Sequence, residues 1–317
     1  MPQVSVIIPT HNRAETVRAA ITSVLSQSFQ DFEIIVVDDA SVDHTASVVQ
    51  GFDDPRIRYL RNAANKGEGG SRNKGLLNAQ GDFIAFLDDD DEWLPEKLKL
   101  QVDLLERSSS NVGGVYTGFF KIDKISGRQW ARVCPTKRGN ILNDILSENW
   151  IASSTLLLRK ECFEKAGLFE EGMTFGADYD MWLRVASKFD FECVAKPLVI
   201  YYIHGNNVTS NYETVIRGLE AQLSRYGSFW VSNSKGYSQR YLSLGVLYCY
   251  TGDVKRGRAA FAKAIKLYPF EVRYYYYLVL SFFGADVYRK FSDTKEAVIF
   301  KMREHRLSHS RPNASSH

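Results

Sequence analysis

Between Phe83 and Trp93 the chain reads Phe-Ile-Ala-Phe-Leu-Asp-Asp-Asp-Asp-Glu-Trp, five apolar residues running straight into four aspartates. No other stretch constrains the fold as much. The unbroken apolar half, Phe83–Leu87, has the pattern of a short strand buried on both faces, as in sheets covered by helices on either side. The acidic half then falls at that strand's carboxyl end, where open α/β sheets place their ligands. Four adjacent carboxylates repel one another, and some take up protons unless a cation relieves them. Hard divalent ions such as Mg²⁺ or Mn²⁺ take oxygen ligands and often bind through a carboxylate or two plus substrate phosphates. A metal–diphosphate site is one reading of the run. The other is a solvated turn ahead of a helix, since Pro95 suits a first helical position and Glu96 a first turn; that reading covers Asp91 and Glu92.

The same grammar recurs upstream. Val4–Ile8 is a strand ending at Pro9, followed by the loop Thr10–Arg13. A helix over Ala14–Gln27 then places Val17, Ala20, Ile21, Val24 and Leu25 on one face. Phe32–Val37 is a second strand, running into Asp38-Asp39-Ala40-Ser41, with a helix near Thr45–Gly51 behind it. Ile57–Leu60 is a third, and Gly67–Gly70 a glycine-rich turn opening a helix through Asn78. Alternating β and α predicts parallel strands with right-handed crossovers, so two acidic strand ends share one sheet edge.

Beyond a helix at Pro95–Arg107 and a break at Ser108–Asn111 the pattern changes to mixed strands. Val112–Lys121 and Gln129–Val133 read as antiparallel strands, Asn140–Ser147 as a helix and Thr155–Leu158 as a strand. Helices at Glu161–Ala166 and Asp178–Ser187 follow, then an edge strand, Val199–Ile203, leading to His204. After Asn211 strand signals stop. Tyr241–Tyr250 and Lys255–Tyr268, joined at Thr251-Gly252-Asp253, resemble one tetratricopeptide unit. One unit cannot bury its own face, so a hairpin packed on the rest of the protein is expected rather than an array. Four tyrosines and an apolar run in Glu271–Phe283, with Arg273 before and Arg289 and Lys290 after, suit a helix lying in a membrane interface through 273–290. An aromatic helix packed on the hairpin suits them equally. The expected organisation is a domain over 1–210 with halves at 1–110 and 111–210, a helical extension over 211–308 and a disordered tail over 309–317.

An apolar fraction of 44% and a charged fraction of 24% in 317 residues are those of an ordinary globular chain. A net charge of +3 does not argue for nucleic acid. Cys134, Cys162, Cys193 and Cys249 form no CxxC pair, which speaks against structural zinc or a disulfide framework. The start, Met-Pro-Gln-Val, lacks the basic and apolar regions of a secretory signal, and no apolar run approaches the roughly 20 residues of a spanning helix. The expected location is cytoplasmic, at the inner face of the plasma membrane if it meets one. Asn207-Val-Thr209 matches a glycosylation sequon that carries no meaning without export.

Each site candidate has a plain alternative. One of Asp38 and Asp39 caps the turn after its strand, while the other can accept from a uracil N–H or a ribose hydroxyl. His11 can stack on a base or stand in solvent. Gly67-x-Gly69-Gly70-Ser71-Arg72 resembles a phosphate cradle at a helix N-terminus, with Arg72 facing a diphosphate, although it is neither a dinucleotide fingerprint nor a P-loop. Asp178 is either an N-cap or a general base; Asp180 and Arg184, four apart on a helix, can pair and leave Asp178 free. His204 either has no role or reaches the metal or the leaving phosphate.

Val-Ser-Val-Ile-Ile-Pro-Thr-His-Asn-Arg at 4–13, Val-Val-Asp-Asp-Ala-Ser at 36–41, Gly-Gly-Ser-Arg-Asn-Lys-Gly at 69–75, Phe-Leu-Asp-Asp-Asp-Asp at 86–91 and Ala-Asp-Tyr-Asp-Met-Trp-Leu-Arg at 177–184 together resemble the family 2 glycosyltransferases, in the family's order and spacing, over roughly residues 1–210. The resemblance implies the GT-A fold: a Rossmann-like, mixed but mainly parallel sheet flanked by helices, here with a C-terminal α-helical extension. It implies that Asp39 contacts the nucleobase, that Asp88 and Asp90 are the acids of an Asp-x-Asp metal motif with Asp91 beside them, and that Asp178 is the catalytic base. The donor-binding set is then Pro9, His11, Arg13, Asp39, Arg72, Asp88 and Asp89, with Asp88, Asp90 and His204 around Mg²⁺ or Mn²⁺. Two departures stand out: Ala177 precedes Asp178 where a glutamate is frequent, and His11 stands where a tyrosine is frequent.

The implied activity is inverting transfer of a sugar from a nucleotide-diphosphate donor, UDP-linked by preference, to a hydroxyl of a glycan or lipid-linked acceptor in surface polysaccharide synthesis. The segment Trp150–Ser154 falls where donor and acceptor would be aligned. A sugar-phosphate nucleotidyltransferase wants a glycine-rich basic loop where this chain has Pro9–Arg13, and a dinucleotide-dependent oxidoreductase wants a glycine fingerprint there. A non-catalytic nucleotide-sugar-binding or scaffold protein acting through the helical end is the remaining alternative. It leaves the carboxylates at Asp88, Asp90 and Asp178 unexplained.

Overall fold

The structure is a computed structural model that describes residues 1–147, 150–173, 175–204, 211–230 and 233–291. The sequon at 207–209 and the tail at 309–317 lie outside the described residues. The chain divides into two compact units between Gly218 and Leu219.

The first unit is built on one mixed sheet. Its strands are β1 (Val4–Thr10), β2 (Phe32–Asp38), β3 (Ile57–Arg61), β4 (Phe83–Phe86), β5 (Glu92–Trp93), β6 (Val112–Asp123), β7 (Gln129–Val133), β8 (Leu156–Arg159) and β9 (Asp190–Ile203). They lie in the order β3-β2-β1-β4-β8-β6-β9-β5, with β7 paired to β6. The β-α-β half is parallel throughout, β1 pairing with β2 and β4 and β2 with β3. Antiparallel β8 then joins β4 to β6, and β6 runs parallel to β9. This is the mixed, Rossmann-like sheet that the strand pattern anticipates.

Helices α1 (Ala14–Leu25), α2 (Thr45–Gln50), α3 (Gly67–Asn78), α4 (Lys97–Arg107), α5 (Leu142–Ser147), α6 (Glu161–Ala166) and α7 (Ala177–Ala186) flank the sheet. All seven residues of β1 and of β2 are buried, as a strand covered on both faces requires. One core cluster joins Val6, Ile8, Val36, Ala85 and Leu87 to Val17 and Ile21 of α1 and Leu98 and Val102 of α4. A separate aromatic contact sets the ring of Phe86 near those of Phe163, Phe169 and Trp182, at centroid distances of 5.9, 5.4 and 6.0 Å.

Several boundaries differ from expectation. Pro9 does not end its strand but pairs in register with Val37 inside β1. The glycine-rich turn is the first turn of α3 itself, which begins at Gly67. Val199–Ile203 is no edge strand: β9 starts at Asp190, runs along β6, and at Val199 and Ile200 also pairs with β5. A two-residue strand such as β5 is too short to leave a sequence signal.

The second unit contains the end of α8 (Tyr212–Arg225), then α9 (Gly227–Trp230), α10 (Ser234–Thr251), α11 (Val254–Leu267) and α12 (Val272–Leu280). Gly252 ends α10 in the left-handed region at φ 101°, and Asp253 caps α11 by accepting from the Arg256 N–H at 3.0 Å. The turn thus falls where the sequence places it. The α10–α11 pair packs closely because Gly257 faces Cys249: a Cβ there would stand 2.3 Å from the thiol sulfur. Tyr277 of α12 stacks on Phe261 of α11.

Lys97, at the start of α4, is fully buried, with Nζ 3.7 Å from the Trp93 ring centroid and no hydrogen-bond partner among the described residues. Burial holds its ammonium well below the ordinary lysine range. The unfolded chain therefore binds a proton that the folded chain resists, and stability falls as pH drops below about 10.4. Lys97→Met, of similar length, removes that penalty. Urea denaturation should show Lys97→Met at least as stable as the parent at pH 7, with the gain shrinking as pH rises through 10.

Candidate active site

The carboxyl ends of β1, β2 and β4 lie along one edge of the sheet, and the loops that leave them are tied together. The Asn12 N–H donates to Ser41 Oγ at 2.9 Å and the Val42 N–H to Asn12 Oδ1 at 2.8 Å, while His11 Nδ1 lies 2.7 Å from the Asp39 carbonyl oxygen. Asn12 and Ala40 hold φ of 52° and 61°, a left-handed conformation that costs a non-glycine residue about 1–2 kcal/mol. Such strain persists where surrounding bonds over-determine the backbone, and it gathers at functional sites.

Asp38 and Asp39 serve the scaffold in different ways. Burial works against ionisation of Asp38, yet hydrogen bonds from Tyr59 and Ser41 and the Arg61 charge outweigh it and hold its carboxyl low. Asp39 accepts from Asn62 Nδ2 at 2.7 Å, the Lys66 N–H at 2.9 Å and the Gly67 N–H at 2.8 Å, anchoring the start of α3. Asp38 also accepts from the Ser41 N–H, so it is the member of the pair that caps the turn.

Six residues into α3, Arg72 is buried to 1% exposure. Its Nη2 donates to Asp88 Oδ1 at 2.8 Å and pairs with Glu68, and its guanidinium carbon lies 5.7 and 5.5 Å from the ring centroids of Phe86 and Phe169. Nε and Nη1 have no hydrogen-bond partner among the described residues. Burial disfavours its charge, but the carboxylates of Glu68, Asp88 and Asp178 overcome that and raise its pKa further. Asn73 fastens the helix to the following half through two bonds with the Phe169 backbone, at 2.9 and 2.8 Å.

The four aspartates form a turn, closed by the Asp91 N–H donating to the Asp88 carbonyl at 3.0 Å. Asp91 does not belong to a solvated turn as expected. It is 1% exposed, accepting from Ser154 Oγ at 2.6 Å and the Tyr202 N–H at 3.3 Å, with burial pushing its carboxyl well up. Glu92, its companion in that expectation, is paired in β5. Asp90 Oδ2 receives Arg13 Nη1 at 2.9 Å and lies 2.8 Å from His204 Nε2. Burial raises the pKa of Asp88; Arg72 draws it down, and the charges of Asp90 and Asp178 push it up again. Asp89 is raised by burial and by the charges on either side.

Asp178 sits in the first turn of α7, held by the buried Trp182, whose ring stands 6.0 Å from that of Phe86. It is not the N-cap; Gly176 is, at φ 78°. Asp180 is fully buried and takes Arg184 Nε and Nη2 at 2.9 and 2.7 Å, the pairing that the four-residue spacing predicts. Asp178 shares electrostatic reach of Arg72, Asp88 and Tyr201. Tyr201 feels most of the acidic edge: burial first, then Asp91, Asp88, Asp90 and Asp178, raise its hydroxyl pKa. The structure thus brings Arg13, Arg72, Asp88, Asp89, Asp90, Asp178 and His204 to one edge, with His11 and Asp39 on the adjoining loops. Pro9 is buried within β1.

Tyr201 belongs to this edge without any local signal, and so does Ser154, the end of the segment expected near donor and acceptor. Ser154 donates to Asp91 and accepts from the Asp88 N–H at 3.1 Å, so one hydroxyl clasps both ends of the acidic turn. Among the described residues no group of three or more His, Cys, Asp or Glu side chains is arranged to hold a metal alone.

The glycosyl transferase family 2 model matches residues 5–165. A UDP-Glc:alpha-D-GlcNAc-diphosphoundecaprenol beta-1,3-glucosyltransferase of Escherichia coli, WfgD, is 31% identical over 210 residues, covering 66% of this chain and 80% of its own. Among solved structures, Staphylococcus aureus TarS 1–349 in complex with UDP-GlcNAc has a TM-score of 0.58 at 19% identity, over 94% of this chain and 92% of that one. The Pyrobaculum calidifontis mannosyltransferase PcManGT, in complex with GDP-Man and Mn²⁺, has a TM-score of 0.57 at 16% identity, over 92% and 88%. The chain belongs to the family 2 glycosyltransferases and is a transferase of GT-A fold.

Ser154→Ala leaves Asp91 buried without its hydroxyl donor and the Asp88 N–H without its acceptor. A loss of about 1–3 kcal/mol in urea unfolding is expected, with glycosyl transfer falling alongside. Unchanged stability and turnover would show that the clasp is idle.

Proposed function

We propose that this protein moves a sugar, with inversion, from a UDP-linked donor to a hydroxyl of a lipid-linked glycan during assembly of a surface polysaccharide. One observation carries the reading: Arg72, Asp88 and Asp178, from three separate elements, lie in mutual electrostatic reach at a single sheet edge. The name of the Escherichia coli relative supports a UDP donor and a diphosphoundecaprenol acceptor.

In this reading Asp178 takes the acceptor proton as the hydroxyl attacks, with its carboxylate held by α7 at the rim. General bases contribute about 10²–10⁴-fold. Arg13 and Arg72 supply charge where the leaving diphosphate gains it. Asp39 already accepts three hydrogen bonds, and a carboxylate offers about four acceptor positions, so one remains for a uracil N–H. His11, exposed beside it, can stack on the base. Pro9 and Asp89 complete the donor-binding set.

The donors Asp88, Asp90 and His204 fit a Mg²⁺ or Mn²⁺ ion that a substrate diphosphate helps to ligate: hard oxygens predominate, and the crowded carboxylates gain from a cation. When bound, such an ion neutralises the departing diphosphate. On the acceptor side, a cavity of about 310 Å³ lined by Tyr116, Lys137, Asp144 and Trp150 adjoins β6, with the Tyr116 and Trp150 rings 5.0 Å apart. No described helix is long and apolar enough to cross a membrane. A lipid-linked acceptor places the reaction at a bilayer surface, and contact through 273–290 at the cytoplasmic face belongs to the same reading.

Two substitutions test it. Asp178→Asn should keep UDP binding by calorimetry while turnover falls by about 10²–10⁴-fold; near-parental transfer would remove Asp178 from the base role. Asp90→Ala should abolish the Mn²⁺-dependent part of UDP binding, and a titration indistinguishable from the parent would refute the metal assignment.

A further inference from the structure

Helix α12 and the turn after it have two faces of opposite character. Tyr274, Leu280 and Ser281 are buried, with the Tyr274 hydroxyl 2.7 Å from Ser238 Oγ. The other face carries Val272, Tyr275, Tyr276, Val279, Phe282 and Phe283, from 42% to 76% exposed. At helical spacing these six occupy roughly a third of the circumference, one continuous stripe rather than scattered apolar residues. A contiguous apolar patch on a protein surface marks an interaction site.

Charge decides which partner fits. Residues 219–317 carry 16 Lys and Arg against 7 Asp and Glu, whereas residues 1–218 carry 24 against 30. The near-neutral total hides a strongly basic C-terminal third, and such asymmetry points to an anionic surface. The basic side chains bracketing the apolar run are engaged within the unit: Arg273 with Glu271, and Arg289 with the Tyr250 carbonyl and Asp286. The neighbouring helix supplies charge instead. Arg258 of α11 lies 4.6 Å over the Phe282 ring, and Lys255 and Lys266, both exposed, share its flank of the helix by spacing. A second copy of this chain would bring two basic units face to face, which like-charge repulsion opposes.

We propose that the outward face of α12 seats in the interfacial layer of an anionic bilayer, with its tyrosine and phenylalanine rings at headgroup depth and Lys255, Arg258 and Lys266 over the phosphates. Nine helical residues are too few to span, and the stripe suits a helix lying in the surface plane. The proposal rests on the lipid-linked-acceptor reading for its setting alone; vesicle binding is measured without substrate.

The full chain is sedimented with vesicles of phosphatidylcholine alone or mixed with phosphatidylglycerol. Binding to the mixed vesicles, lowered by salt, is expected. Val279→Asp with Phe282→Asp should weaken it at least about ten-fold. Lys255→Glu with Lys266→Glu should weaken it several-fold on the anionic vesicles only. Mn²⁺-dependent UDP binding serves as the folding control and should match the parent in both variants. A parent chain that ignores mixed vesicles, or an aspartate variant that binds them as well as the parent, overturns the proposal. So does a dimer that the aspartate variant splits without any vesicle binding. Vesicle binding that survives while Asp178→Asn keeps full turnover would remove Asp178 from the base role and leave the membrane face standing.

Discussion

An arginine side chain with 1% of its surface exposed holds the acidic edge together. Arg72 is closed in by the Phe86 and Phe169 rings and bonded to Asp88, so its charge is desolvated and directed. Burying an ion is costly unless it is paired, and the pairing here is with the carboxylates that would otherwise repel one another. The two problems cancel: the guanidinium needs anions, and the aspartates at the β4 end need a cation. This mutual need explains why an aromatic cluster of Phe86, Phe163, Phe169 and Trp182 lies directly beneath a charged rim. The rings exclude water from the underside and keep the field of Arg72 unscreened.

The rest of the edge is arranged to keep that pair in place. Ser154 brings β8 to the aspartate turn, and Asn73 brings the loop containing Phe169 to α3. Asp39 fixes the first turn of α3 and with it the position from which Arg72 projects. These bonds are polar and join residues distant in the chain, whereas the strands beneath them are mainly apolar. The division of labour is common in α/β proteins: the sheet provides rigidity, and the loops at its carboxyl edge carry function.

Much of this was legible in the chain. Apolar runs ending in Asp38-Asp39, interrupted by Glu33 alone, and in Asp88–Asp91 identify buried parallel strands with charged carboxyl ends, because few other structures tolerate that junction. The Asp180–Arg184 spacing and the Gly252-Asp253 turn were equally readable, since each depends on neighbours within one or two helical turns. What was hidden is non-local. The burial of Asp91 depends on Ser154, 63 residues away in sequence, and on a backbone N–H of β9. The interior position of β9 depends on a two-residue partner with no pattern of its own. The exposed stripe of α12 and the internal pairing of Arg273 and Arg289 likewise needed the helices around them to be in place, because the same residues read as bracket or as packing until their partners are known.

Asp178 and Asp180 show how surroundings give two identical side chains different fates. Both lie in the first turn of α7, where the helix dipole favours a negative charge. Asp180 is fully buried, and Arg184 grips its Oδ2 with two nitrogens, so its position is committed. Asp178 is only half-buried, and the one described hydrogen bond to its carboxylate comes from the next residue's N–H. Its acceptor capacity is therefore available to a ligand. Among the described residues, that arginine clamp on Asp180 and its lack on Asp178 separate a carboxylate that braces the helix from the one the proposed reading assigns as base.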